Sequence, residues 1–493
     1  MKICPHWIGG EPVYASHGDT TPVFNPAVGE VIASVPVGSR DDVAAAVAAA
    51  RASFPAWAAT PAVDRAAIFF RFKSLLEQEF ESIATIISTE HGKTRGEARG
   101  DLRRGIQMVE YSCGIPTLLM GEALPDIARG IDCEAIRHPL GVCAGIVPFN
   151  FPAMVPLWMF PIAIACGNTF VLKPSEKVPL TAMRLAELLD EAGLPAGVLN
   201  LVHGDREVVD ALIEHPDVQA LSFVGSTPVA RKIYETGTRL GKRVQSAGGA
   251  KNFILVMPDA VVSESVRGLV EAAFGCAGER CMSGSTVIAI GDAGNSVIPE
   301  LVTAARNLRV GPAYCDPSAD MGPVISAQHR DRVISLIDQG LGEGAKVLAD
   351  GRGVRVDAAP NGFYVGPTIL DHVDHGMPFA TEEIFGPVLS VMRADNLEAA
   401  IESANRSAYG NGAAIFTSSG RSAREFKLRI NAGMVGINVA VPAPMAFFPF
   451  SGWNDSFFGD LHMQGREGVA FYTRQKVTTS RWFAPGEGDV WAK

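Results

Sequence analysis

Two cysteines lie five residues apart among small residues in FGCAGERCMSGS (274–285), and the second, Cys281, directly follows Arg280. A thiol becomes a useful nucleophile near neutral pH when positive charge or backbone N–H groups stabilise its thiolate. Arg280 supplies charge, and the run of Gly, Ala and Ser lets a substrate approach the backbone. The same pattern fits an inert buried cysteine, the commoner fate of an isolated thiol. PFNFP (148–152) fixes Asn150 between two rigid turns. An amide held there can stabilise a developing oxyanion, or can simply shape the turn. KPSE (173–176) closes a strand with Lys173 and Glu176 one turn apart, placed to hold ribose hydroxyls or to form a surface ion pair. FVGSTPVAR (223–231) ends a strand at Gly225 and opens a helix at Ser226. The N–H groups of such a helix start suit a phosphate, and an ordinary Ser N-cap has the same appearance. There is no GxGxxG fingerprint. EEIFGPV (382–388) offers a carboxylate and a ring before a Gly–Pro turn, or an ordinary helix end in a core.

The elements that must carry these groups follow from periodicity. Short strands and turns fill 7–36, and a helix is expected over Arg40–Ala58, with Asp41 and Asp42 in its first turn. One long helix is expected from Pro61 to His91–Gly92, and a third carries Arg103 and Arg104. Residues 122–140 read as a hairpin standing off the body. From Gly141 strands alternate with helices. The strands are VCAGIV, TFVLK, VLNLVHG, ALSFVG and RVQSA, and the helices are Ala153–Cys166, Leu180–Ala192, Arg206–His215 and Pro228–Leu240. Such alternation predicts a parallel sheet covered on both faces, with ligands at the carboxyl ends of its strands. A second α/β region follows Lys251, with strands TVIAI, PVLSVM, GAAIFT and GMVGINV and helices near 263–275, 297–306, 327–340, 396–405 and 420–429. The final run VAFYTRQKVTTSRWF reads as a β-prone segment able to pair with a neighbouring edge.

Composition narrows the function. With 493 residues, 47% hydrophobic and 19% charged, the chain suits a soluble protein of two or three domains. A net charge of -10 without a basic cluster argues against nucleic acid as partner. The eight cysteines show no CxxC or zinc spacing and the ten histidines no HExxH, so no metal site is expected. Free thiols in a long chain, and a start (MKICPHWIGGEP) without a signal-like apolar core, lead to the expectation of a cytoplasmic protein. The uncharged stretch Gly141–Leu172 is long enough to span a bilayer. Four prolines (148, 152, 156, 161) and the amides of Asn150 and Asn168 interrupt it, so a strand, a turn and a buried helix are expected instead of a membrane partner.

Taken in order, PFNFP, KPSE, FxGS, a GGAK-type turn, GxRC and EEIFGPV resemble the aldehyde dehydrogenase superfamily over nearly the whole chain. Within it, the longer runs PFNFPAMVPLWMFPIAIACGNTFVLKPSE, FVGSTPVA, GAKN, RCM and FPFSGWNDSFFGDLH are most similar to the CoA-acylating methylmalonate-semialdehyde dehydrogenases. The resemblance implies an α/β fold: a Rossmann-type NAD-binding domain (1–120 and 141–249), a catalytic domain (250–447) and a small β oligomerisation arm (121–140 and 466–493). It implies Cys281 as nucleophile and Asn150 as oxyanion amide. It implies Val147, Phe149, Lys173, Glu176, Lys177, Ser226, Gly248 and Glu383 around NAD, and Arg104 and Arg280 on a substrate carboxylate. The implied partners are a small aldehyde, coenzyme A as co-substrate, and further copies of the chain in a homodimer or homotetramer. Ala247 occupies the place where hydrolytic relatives carry the Glu that activates water. That favours a thiol as acyl acceptor, because a thiol needs less activation. Glu279 stands where Gln is usual and Phe253 where His is usual. A carboxylate two residues from Cys281 is expected to raise the thiol's pKa, or to replace the missing base. A hydrolytic dehydrogenase of the same fold and a non-enzymatic member of the superfamily are the other readings.

Overall fold

The computed structural model describes residues 3–14 and 18–483. Its first sheet has eight strands, ordered Glu11–Val13, His6–Ile8, Leu199–Leu201, Thr169–Lys173, Val142–Ile146, Val218–Val224, Arg243–Ala247 and Phe457–Phe458. The central five are parallel. The chain steps outward from Val142–Ile146 to one side, then returns to the other with Val218–Val224. This reversal opens a crevice beyond the carboxyl ends of those two strands. Alternation along each strand feeds two cores. Val142, Ala144 and Ile146 face the helices Arg40–Ala59, Arg206–Glu214 and Thr227–Arg239, while Cys143 faces the opposite helical layer.

That opposite layer is built on Met154–Ala165, every residue of which is buried. The uncharged stretch therefore folds as strand, turn, helix, strand. Asn168 is satisfied inside the protein: its Oδ1 accepts from the N–H groups of Leu140 (2.7 Å) and Gly141 (3.1 Å), and its Nδ2 donates to the carbonyls of Ala163 and Tyr472 (both 2.9 Å). No helix of the described residues is long and apolar enough to cross a membrane. The helix expected from Pro61 to His91 is two helices, Ala62–Gln78 and Phe80–His91, broken at Glu79. The break lets each half lay its own apolar stripe on the helix Arg95–Cys113.

The second sheet orders Lys346–Ala349, Thr368–Asp371, Val388–Ala394, Gly284–Ile290, Asn252–Val256, Gly412–Phe416 and Met434–Ile437. Only Lys346–Ala349 runs antiparallel. Three of these strands, Lys346–Ala349, Thr368–Asp371 and Asn252–Val256, add to those the pattern gave. Asn252–Val256 is an all-buried run that periodicity alone does not assign to strand or helix. A separate three-stranded sheet pairs the hairpin Glu122–Ala128 and Ile131–Pro139 with Thr473–Arg481, in register from Thr473–Pro139 to Arg481–Ile131. The terminal β segment begins later than its composition suggests. Gly465–Phe471 is a helix, with Val469 and Phe471 packed into the first core, and residues 484–493 lie outside the described ones.

Candidate active site

The helix Val262–Phe274 ends in a tight reversal. Cys276 and Ala277 take left-handed backbone angles (φ 50° and 52°), and Gly278 follows at 74°. A Cβ at Gly278 would lie 2.0 Å from the carbonyl oxygen of Gly386, so only glycine fits there. The reversal delivers Cys281 just ahead of the strand Gly284–Ile290, at the amino end of the second sheet. There the carbonyl of Cys281 accepts from Nδ2 of both Asn252 and Asn411, each at 2.9 Å. Two amides from neighbouring strand starts thus fix the peptide plane of Cys281. Burial pushes the Cys281 thiol up to about 12, and the charge of Glu383 adds to this; the backbone N–H groups of Cys281 and Met282, and Arg280, act in the opposite direction. In the free protein near neutral pH the thiol therefore keeps its proton.

Asn150 reaches the same place from the first sheet. Its Nδ2 donates to the carbonyl of Glu279 at 3.0 Å, which orients the amide and leaves its second hydrogen for another acceptor. The turn that carries it is clamped from below. Lys93 Nζ donates to the carbonyl of Asn150 (2.7 Å) and to Asp101 Oδ2 (3.1 Å), and sits 4.2 Å from the centre of the Phe151 ring. Asp101 Oδ1 accepts from the N–H of Met154 at 2.8 Å. Both side chains of this ion pair are completely buried. Removing one partner of such a pair leaves a stranded charge and typically costs about 3–5 kcal/mol.

Cys281 lines two cavities. The first, of about 440 Å³, is walled on one side by Glu97, Asp101, Arg104 and Met108, a single face of the helix Arg95–Cys113, and on another by Cys276, Arg280 and Met282. Arg104 and Arg280 thus meet in one cavity with the thiol. The Arg104 guanidinium donates to the carbonyls of Ala443 (3.2 Å) and Pro444 and touches Met445 Sδ, all neutral atoms. Arg280 pairs with Glu97 at 3.2 Å.

The second cavity, of about 360 Å³, is lined by Phe149, Asn150, Gly225, Ser226, Gly248, Gly249, Cys281, His329, Arg332, Glu383 and Phe385. It lies at the crevice where the first sheet reverses. Small residues make room: a Cβ at Gly248 would stand 2.7 Å from the Asp455 carbonyl oxygen, and one at Gly249 would stand 2.5 Å from Glu383 Oε2. Ser226 makes no side-chain cap to the 13-residue helix that follows it. Glu383 Oε1 accepts from the N–H of Ala250 at 2.9 Å, and burial raises its carboxyl to about 7. Of the residues expected around a dinucleotide, Phe149, Ser226, Gly248 and Glu383 therefore share one cavity. Val147, Lys173, Glu176 and Lys177 lie beside it. Lys173 pairs with Glu176 at 3.3 Å, the Val147 N–H donates to the Lys173 carbonyl at 3.1 Å, and Lys177 Nζ lies 5.0 Å from the Phe149 ring centre. A cleft lined by glycines, with an uncapped helix start, a carboxylate and flanking lysines, fits a dinucleotide. Among the described residues no cluster of His, Cys, Asp or Glu is placed to hold a metal ion.

Glu279 does not act as its position in the sequence suggests. Its side chain is fully buried and lines neither cavity. Oε1 accepts from the N–H of Ile325 at 3.1 Å and lies 3.5 Å from His329 Nε2. Burial raises its carboxyl to about 8, and the carboxylate whose charge bears on Cys281 is Glu383. The Glu279 side chain is held against Ile325 and His329, outside both cavities that Cys281 lines. Ala247 ends its strand, buried and paired with Val224 and Phe457. Pattern reading missed Lys93, Asp101, Glu97, His329, Arg332 and Asn411. Asn252 and Phe385 stood inside the quoted GAKN and EEIFGPV segments without an assigned role.

The chain is similar to known proteins over nearly its whole length. Malonate-semialdehyde dehydrogenase 2 of Geobacillus thermodenitrificans (strain NG80-2) is 54% identical over 482 residues, spanning 97% of this chain and 99% of its own. The crystal structure of methylmalonate-semialdehyde dehydrogenase (DddC) from Oceanimonas doudoroffii superposes with a TM-score of 0.97 at 48% identity, over 99% of both chains. A Sinorhizobium meliloti 1021 chain, assigned by name as a methylmalonate-semialdehyde dehydrogenase and crystallised with NAD, gives 0.97 at 47% over 99% of both. The sequence model of the aldehyde dehydrogenase family matches residues 13–478. A match of that extent settles the family: the chain belongs to the aldehyde dehydrogenases.

Proposed function

We propose that this chain oxidises malonate or methylmalonate semialdehyde with NAD and transfers the acyl group to coenzyme A, with loss of carbon dioxide. The observation that carries the reading is Cys281, one thiol in the wall of two cavities, with a pair of guanidiniums in one and a dinucleotide-shaped crevice in the other. The names of the similar proteins support the substrate, and the NAD in the Sinorhizobium structure supports the cofactor.

The residues divide the work. Arg104 and Arg280 hold the carboxylate so that the aldehyde carbon lies over Cys281. Cys281 gives its proton to solvent and attacks that carbon as the minor thiolate form, and the oxyanion meets the free Asn150 N–H and the backbone N–H of Cys281. Bound NAD, held by Phe149, Ser226, Gly248 and Glu383, supplies the hydride acceptor. The carbon, once oxidised, is a thioester on Cys281. The β-carboxylate leaves as carbon dioxide, and the electron pair left on the α-carbon takes up a proton. The thiol of coenzyme A then attacks the thioester and Cys281 departs. Ala247 at the strand end carries no carboxylate and Glu279 lies outside both cavities, so neither position supplies a base for water.

Without coenzyme A, a burst of about one NADH per active site is expected before a slow steady rate. Adding coenzyme A should raise the steady rate and leave the burst unchanged. Rapid turnover without it would instead identify a hydrolytic enzyme. Arg104→Leu should raise KM for malonate semialdehyde by about 10- to 150-fold, the loss of a charge-assisted hydrogen bond, and affect propanal far less. Equal loss for both aldehydes would remove Arg104 from carboxylate binding.

Assembly into a dimer or tetramer through the three-stranded arm is part of the same proposal. Its exposed Leu124, Ile127, Ile136 and Val477 support it. None of the eight cysteines is joined in a disulfide, which supports a reducing compartment such as the cytoplasm.

A further inference from the structure

We infer that Glu97 is a positioning residue that both fastens the nucleophile's turn and moderates the charge Arg280 offers to substrate, the second role resting on the carboxylate reading of the cavity proposed above. One carboxylate joins segments about 180 residues apart in sequence. Oε2 accepts from the N–H (2.9 Å) and hydroxyl (3.0 Å) of Thr94, closing the capping box of the helix Arg95–Cys113. That leaves Oε1 directed outward, where it accepts from the N–H of Cys276 and from Arg280 Nη2 at 3.2 Å.

The first contact falls on the strained part of the loop. Cys276 and Ala277 hold left-handed angles that L-residues avoid, and such backbone persists only where its surroundings over-determine it. Glu97 supplies a strong charge-assisted acceptor at that point. Cys281 is carried five residues further on, so slack at Cys276 is passed directly to the attacking sulfur.

The second contact sets the two arginines apart. Arg104 meets only neutral carbonyls and a thioether, so its charge is undivided toward the cavity. Arg280 lies across Gly275, where a Cβ would touch its guanidinium at 2.5 Å, and its charge is shared with Glu97; both side chains of the pair are 16% exposed. A substrate carboxylate must share Arg280 with Glu97, and it feels the negative charge of Glu97 in the same cavity wall. Binding of the anion is thereby weakened, so less attraction to Arg280 opposes conversion of the carboxylate to neutral carbon dioxide.

Glu97→Gln and Glu97→Ala separate the two duties. The glutamine keeps an oxygen for the Cys276 N–H and removes the charge; the alanine removes both. For Glu97→Gln, the ratio of KM for malonate semialdehyde to KM for propanal should fall by about threefold or more, as a like charge is removed beside the anion. For Glu97→Ala, kcat should fall at least about tenfold with both aldehydes, as misplacement of a reacting group predicts, and Glu97→Gln should recover most of it. NAD binding, followed by fluorescence quenching, reports that each variant is folded. An unchanged or raised KM ratio in Glu97→Gln overturns the charge role. A Glu97→Ala kcat for propanal within twofold of wild type overturns the fastening role. Equal effects of Arg104→Leu on both aldehydes would overturn the carboxylate reading instead, and the propanal measurements then still decide whether Glu97 holds the loop.

Discussion

Cys281→Ala should lower NADH formation by more than about 10³-fold while NAD still binds, because removing a covalent nucleophile removes the pathway and leaves only positioning. The crevice proposed to hold the dinucleotide is lined by Phe149, Ser226, the Gly248–Gly249 turn and Glu383, none of which depends on the sulfur for its place. Cys276 is the thiol to compare. It lines the same cavity, is buried, and has its pKa raised, chiefly by that burial. Cys276→Ser should retain most turnover, and if it does not while Cys281→Ala does, the roles are exchanged. The pH dependence gives a second check. With the Cys281 thiol near 12, the thiolate is the minor form at every pH below that value. Alkylation of the free protein by iodoacetamide at Cys281 should therefore rise about tenfold per pH unit from 7 to 10. A plateau near pH 8 would mean that the N–H groups and Arg280 outweigh burial.

Asn150→Ala should lower kcat by about 10²–10³-fold, or about 2.7–4 kcal/mol, the measured scale for deleting one oxyanion donor. KM should change little, since the amide acts on charge that develops only during attack. Alkylation of Cys281, which forms no oxyanion, should proceed at a near-normal rate in this variant. A parallel loss of alkylation would show that Asn150 serves the loop through its bond to the Glu279 carbonyl and not the oxyanion. The buried Lys93–Asp101 clamp gives the amide its leverage. It fixes the carbonyl of Asn150 and the N–H of Met154 together, so the side chain between them has little freedom.

The residues proposed to perform chemistry stood out in the sequence because each sits in a short segment whose local geometry is self-sufficient. PFNFP makes its own turn, and FVGS ends a strand and starts a helix. The small-residue run around Cys281 announces close backbone approach. The alternation of strands and helices after Gly141 likewise follows from period and turn chemistry, which are local properties. Charge and cysteine usage were read directly from composition. The tertiary structure alone decided which of these segments share a wall. Cys281 lies at the amino end of one sheet and Asn150 beyond the carboxyl end of another, and their meeting depends on how two sheets face each other. Glu279 makes the contrast plainest. Its neighbourhood in sequence placed it beside the thiol, and in the fold its carboxyl packs against Ile325 and His329 instead. Lys93, Asp101 and Glu97 were invisible for the same reason. Asp101 and Glu97 read as ordinary charged residues of a helix and Lys93 as one of the turn before it, and only the segments packed against them, at Asn150 and Cys276, turn them into supports of the site.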